Sequence, residues 1–327
     1  MRLEKQRGAA LLIVLMVVAL VAILATEMGA RLQLQVQRAS NIKSSNQAYW
    51  YAKSAEEYAR LSLVTLMEET GDKITLNQPW AQEFEYPMEE GGISVTLEDM
   101  QSCFNLNALP NANQTNVNNQ QPTEAMNAFA RLLQLTNEEI PSFTVDTVRD
   151  SLADWLDDDD RMRTYGAEDS EYASRAFPYL AANGQMSSQS ELRLINGVEA
   201  EWLEDLLPQV CVIPDNDQLV INVNTLSEER APVLAALTGL SLSQASSIIA
   251  ARPLDGWDDV NTFLAEPDIA ALNLQAEQTQ WFSVTTEYFI LHTKSRYNEA
   301  TFAMTTVLNA ASSGKIAVLR REFGVIK

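Results

Sequence analysis

The chain has 327 residues, longer than the usual single domain, so one large or two intimate domains with a real core are expected and no disulfide scaffold is needed for stability alone. Hydrophobic residues make up 46% of it and charged residues 20%, a globular balance that argues against wholesale disorder. Asp and Glu number 44 against 23 Lys and Arg, and the net charge of −21 repels phosphate backbones, which leaves cations and basic protein surfaces as better partners than nucleic acid.

Residues 1–8 carry Arg2, Lys5 and Arg7 against Glu4, and residues 9–26 then run without a charge. That run is long enough to cross a bilayer as a helix, and its positive flank places the start in the cytoplasm. No small-x-small cleavage site breaks the pattern after it, as a secretory signal would require. Instead residues 33–69 contain neither proline nor glycine, and Ala48, Ala52, Ala55, Ala59, Leu63 and Leu66 recur at three-to-four-residue spacing. One unbroken helix over residues 9–70 accounts for both halves, the first in lipid and the second under a soluble head.

The helical signal stops at Gly71. Residues 84–86 and 93–97, separated by an acidic turn ending in Gly91 and Gly92, read as a strand pair within a first sheet segment, 71–108. Cys103 and Cys211 are the only cysteines. Beyond the apolar segment they lie outside the cytoplasm, where the pair is expected to close into a disulfide; two separate buried thiols are the alternative. Residues 111–123, rich in Asn, Gln and Pro, read as an exposed loop.

The most pointed chemistry follows an amphipathic run at 148–156. Asp154, Asp157, Asp158, Asp159 and Asp160 crowd together, and Glu168, Asp169 and Glu171 come after a short loop through Tyr165 and Gly166. Such a block is commonly a solvated face. Here it is held on an ordered helix end, where carboxylates oppose the macrodipole at a cost of about 0.3 to 1 kcal/mol each that a bound cation would offset. With Asp157 as position 1, Asp159 falls at 3 and Glu168 at 12, the carboxylate positions of an EF-hand loop; Arg161 at 5 and Met162 at 6 exclude the true EF-hand. Hard oxygens converging from both ends of the loop suit Ca²⁺ better than Zn²⁺, with Asp157, Asp159, Glu168 and Asp169 as candidate ligands.

Further on, residues 221–225 precede a stretch at 231–237, 238–241, 242–251 and 257–263 that looks like a helix-hairpin-helix, or SAM-like, part. It keeps Gly239 but has Ser241 and Ser243 where a phosphate-binding hairpin wants glycine, and only Arg252 supplies a nearby positive charge, so it reads as a packing module. Residues 281–327 hold three more strand patterns, at 283–293, 300–308 and 316–323, with a turn at Ser313 and Gly314. The expected fold is α+β: a long N-terminal helix packed on an antiparallel sheet, split by an inserted all-α domain at 109–280.

Arg7, Gly8 and Ala9, followed at once by the apolar run, resemble the leader of type IV pilins and type II secretion pseudopilins. That resemblance implies cleavage by a prepilin peptidase between Gly8 and Ala9 and methylation of the new terminus, leaving the mature chain two charges more negative than the whole. Most members of those families carry a glutamate at the fifth mature position, and here it is Ile13. With the missing glutamate and the long head, the chain resembles the K-type minor pseudopilin of the type II secretion system. A carboxylate buried in lipid is costly unless paired, so its absence suits a terminal subunit. The segment Gly166 to Asp169 after the Asp run is also similar to the stretch where K-type pseudopilins bind calcium. The resemblance implies a single-pass inner-membrane protein with a periplasmic C-terminal head, capping the pseudopilus tip with the I- and J-type minor pseudopilins and helping to start its assembly. A minor pilin of a type IV or competence pilus shares the leader and sheet but does not account for the insertion. An anchored hydrolase is disfavoured: His292, the lone histidine, sits mid-strand, and no nucleophile elbow, phosphate loop or zinc-protease motif is present.

Overall fold

The computed structural model describes residues 9–70, 73–109, 121–310 and 315–324. The leader with Gly8, most of the 111–123 loop and the turn at Ser313 and Gly314 lie outside the described residues. Helix α1 runs Ala9–Thr70 without a break, as a stretch with no proline and a single glycine, Gly29, allows. At 1.5 Å per residue it is about 90 Å long, and its apolar first half stands wholly exposed.

Strands β1 (Phe84–Met88) and β2 (Gly91–Asp99) form the expected hairpin. Two-residue strands β3 (Phe104–Asn105) and β4 (Val210–Cys211) pair in parallel, as do β5 (Ile221–Asn222) and β6 (Phe282–Ser283). The chain closes with β7 (Tyr288–Tyr297), β8 (Ala300–Asn309) and β9 (Ala317–Phe323). The main sheet is ordered β1-β2-β7-β8-β9, with every neighbouring pair antiparallel. The pattern at 283–293 therefore divides: its first residue belongs to β6, and the sheet strand begins at Tyr288.

Alternation aims one face of this sheet at α1. Phe289, Leu291, Thr293 and Ser295 of β7 are buried, and the small side chains of Ala48, Ala52 and Ala55 bring the helix close enough for the Ser295 hydroxyl to donate to the Ala48 carbonyl at 2.7 Å. Farther along, Leu63 packs with Ile74, Phe289, Leu291 and Leu308. The chain leaves the sheet at Asp99 and re-enters at Tyr288, two strand ends at the Leu63 end of the helix. The insertion thus emerges from the end of the sheet farthest from the membrane-length half of α1.

A separate core spans Phe104 to Val284 and holds the insertion together. Around it lie α2 (Glu124–Thr136), α3 (Ser142–Leu156), α4 (Asp169–Ala173), α5 (Ala200–Leu206), α6 (Ala231–Thr238), α7 (Leu242–Ala251) and α8 (Val260–Leu264). Helices α6 and α7 meet at 119° across Gly239. Arg252, which follows the second hairpin helix, donates inward to the carbonyls of Leu226 (2.7 Å) and Val223 (3.3 Å), and Arg131 donates to the carbonyl of Ala236 in the first (2.7 Å). The Arg252 guanidinium thus ties the end of α7 to the segment that precedes α6.

Insertion and sheet are joined at several points, among them an Arg230–Glu98 ion pair at 3.1 Å. Asp99, wholly buried, accepts from the Gln101 amide (2.6 Å), the hydroxyls of Thr286 (2.6 Å) and Thr225 (2.5 Å), and the Asn222 amide group (3.2 Å). Cys103 and Cys211 are bonded, with Cα atoms 5.7 Å apart, among Met100, Ile213 and Val307. Cys103 follows a 3-10 turn and leads into β3, and Cys211 ends β4, so the bridge staples one short parallel pair.

Candidate cation site in the inserted domain

Helix α3 ends at Leu156 because Asp157 leaves helical geometry, its N–H still bonded to the Ala153 carbonyl. The loop that follows folds back on the helix. Asp150 accepts the Tyr165 amide at 3.2 Å, and Asp154 accepts the Arg163 amide at 3.1 Å. The return is so close that a Cβ on Gly166 would stand 1.8 Å from Asp154 Oδ2, so a side chain there would push that carboxylate aside. Beyond the loop, Tyr172 of α4 packs edge-on against Trp155 (5.4 Å) and stacks on Tyr179 (5.2 Å), with the Arg175 guanidinium over its ring, so both loop ends rest on one aromatic floor.

Each candidate ligand has a distinct environment. Asp159 Oδ1 accepts the Arg161 amide (2.8 Å), Asp160 Oδ1 the Asn183 side chain (3.1 Å) and Asp169 Oδ1 the Ala181 amide (2.9 Å). Asp157 Oδ2 takes a bond from Arg163 Nη1 at 2.6 Å, while its Oδ1 is buried without a partner. Glu168 is 4% exposed, and neither of its oxygens has a partner. Burial, reinforced by the charges of Asp154, Asp157, Asp160 and Asp169, pushes Glu168 up to about 7. Burial also raises Asp154, to about 6, against the pull of Arg163, and raises Asp157 in the same way.

Buried carboxylate oxygens without donors are the sites at which a cation gains most. All are hard oxygens, which suit Ca²⁺ and not a metal that wants nitrogen or sulfur. Among the described residues no three acidic, histidine or cysteine side chains are gathered closely enough to grip an ion as they stand, so an ion would have to draw Glu168 and the Asp157 side together. Of the four ligands expected from the sequence, Asp157 and Glu168 carry the unpartnered buried oxygens, while Asp159 and Asp169 each accept a backbone amide; Arg163 was not anticipated. An arginine six residues after Asp157 in a loop carries no local signal of the two carboxylates it meets.

A long helix packed lengthwise on an antiparallel sheet, with its apolar end standing free, defines a pilin-like subunit, and the helical insertion distinguishes it from a plain one. Residues 102–215 and 221–285 match two models described as type II secretion system protein K. Curated proteins named type II secretion system protein K are similar along nearly the whole length. That of Aeromonas hydrophila is 32% identical over 98% of both chains, and that of Klebsiella pneumoniae 34% identical over 98% of both. The fold is also similar to a chain in the crystal structure of the GspK-GspI-GspJ complex from the enterotoxigenic Escherichia coli type 2 secretion system. That match has a TM-score of 0.76 and 30% identity, and covers 90% of this chain and 100% of that one. The chain belongs to the type II secretion system protein K family and is a minor pseudopilin of that system. This sets aside the type IV or competence pilus as its setting.

Proposed function

We propose that this pseudopilin caps the tip of the periplasmic pseudopilus and helps to start its assembly, together with I- and J-type minor pseudopilins. The observation that carries the reading is the position of the insertion. It leaves the sheet between Asp99 and Tyr288, at the end away from the apolar half of α1, where its bulk would obstruct a further subunit added above and is harmless on a terminal one. Ile13 agrees with it, since a subunit with nothing ahead of it has no use for a buried carboxylate in lipid. The similarity to a chain solved in a GspK-GspI-GspJ complex supports the choice of partners. Labelled antibody against the head, applied to sheared pseudopili, should mark one end only; label along the shaft would exclude the cap.

Cleavage between Gly8 and Ala9, with methylation of Ala9, belongs to the same reading, as does an inner-membrane anchor with the head in the periplasm. Terminal sequencing of the membrane form should begin at Ala9; an intact Met1 would oppose it. The loop at 157–169, through Asp157, Asp159, Glu168 and Asp169, is proposed to hold structural calcium. The ion's contribution there is charge neutralisation and cross-linking of the two loop ends; Gly166 and the aromatic floor keep those ends in place.

A further inference from the structure

Asp154, Asp157 and Glu168 meet where α3 ends, and Arg163 divides them. A single nitrogen, Nη1, bonds both Asp154 Oδ1 and Asp157 Oδ2, while the Arg163 backbone amide bonds Asp154 Oδ2. Asp154 is 0% exposed, and both its oxygens are occupied by this one residue. What the arginine leaves free is Asp157 Oδ1 and the two Glu168 oxygens, all buried and without donors. We propose that Arg163 is a positioning residue of the calcium loop, a permanent internal counter-ion that removes Asp154 from coordination and leaves Asp157 Oδ1 and Glu168 to the ion.

The inference rests on the calcium reading and adds to it the residue that tunes the site. Fully ionised, Asp154, Asp157 and Glu168 carry two negative charges more than Arg163 offsets, and a divalent ion meets that excess better than a monovalent one. A ligating carboxylate held through its second oxygen keeps its direction, as outer partners of metal ligands generally ensure. Gly166 completes the device, because any side chain there would drive Asp154 away from the arginine.

Simple electrostatics and positioning predict opposite signs, which makes the test sharp. If Arg163 merely repels or competes with the ion, Arg163→Gln should tighten calcium binding. If it positions Asp157, the same variant should bind about tenfold more weakly or worse, with Arg163→Lys between it and the wild type. The measurement is calorimetric titration of CaCl₂ into the full-length chain in detergent. Unchanged or tighter binding by Arg163→Gln, with a wild type that binds, overturns the positioning role and leaves the calcium reading intact; a wild type that takes up no calcium overturns both. A crystal structure of the calcium-loaded wild type decides the matter even if the variants do not fold. Arg163 should still bridge Asp154 and Asp157, and a guanidinium turned to solvent or Asp154 in the coordination sphere would refute the proposal.

Discussion

Glu56 stands wholly buried on the face of α1 that meets the sheet, about 45 Å along the helix from the end of the apolar run. It accepts from Arg321 Nε (2.7 Å) and Nη2 (2.9 Å), Lys53 Nζ (2.6 Å) and the Thr306 hydroxyl (3.1 Å). Burial alone would push its carboxyl up, but the bonds from Arg321 and Lys53 prevail and hold it down at about 2. A depressed carboxyl contributes stability that is full above its ordinary value near 4.5 and is lost as pH falls from there towards 2. Glu56→Gln should lower stability at neutral pH by about 3 kcal/mol, since it leaves the Arg321 and Lys53 charges without their partner. Urea midpoints from pH 6 down to 2.5 check both effects: the acid-side fall should be shallower in the variant. An equally steep fall would show that other carboxylates govern it.

Among the elements, the short parallel pair β3 and β4 is held by the disulfide, by the apolar cluster around it and by the Asn105 side chain, which accepts from the Ile213 amide and donates to the Asn216 and Gln218 carbonyls. The bridge spans a sequence separation of 108, and in the chain-entropy model such a loop is worth up to about 4 to 5 kcal/mol. The Cys103→Ser, Cys211→Ser double variant should lose most of that in chemical unfolding, with the loss felt in the insertion, whose core begins at Phe104. Mass spectrometry of the unreduced protein should find no free thiol; two free thiols would reject the link. The long helix needs no such staple. Its alanine face and the Glu56 network bind it to β7, β8 and β9 independently of the insertion.

For the whole molecule, calcium is the lever that should connect the loop to assembly. At free calcium a hundredfold above the dissociation constant, binding to the folded state alone stabilises by about 2.7 kcal/mol. The Asp157→Ala, Asp159→Ala double variant should lose the calcium-dependent rise in melting temperature while melting near the wild type in chelator, and should associate more weakly with I- and J-type partners. Equal melting of the wild type in calcium and in chelator would remove calcium from the account of this loop. How much of this was legible beforehand follows from the range of the forces. Residues 9–70 were readable as one helix because the chargeless run, the alanine spacing and the scarcity of helix breakers act between near neighbours; the strand patterns and the Asp157 to Glu168 spacing are local in the same way. The pairing of β2 with β7 across the insertion, the Glu56–Arg321 ion pair and the buried Asp99 joint were not readable. Their partners lie far apart in the chain and gain from one another only once water is excluded between them. Arg163 is the near case of the same limit: nine residues from Asp154 in sequence, it became that residue's counter-ion only because Gly166 let the loop fold back onto the helix.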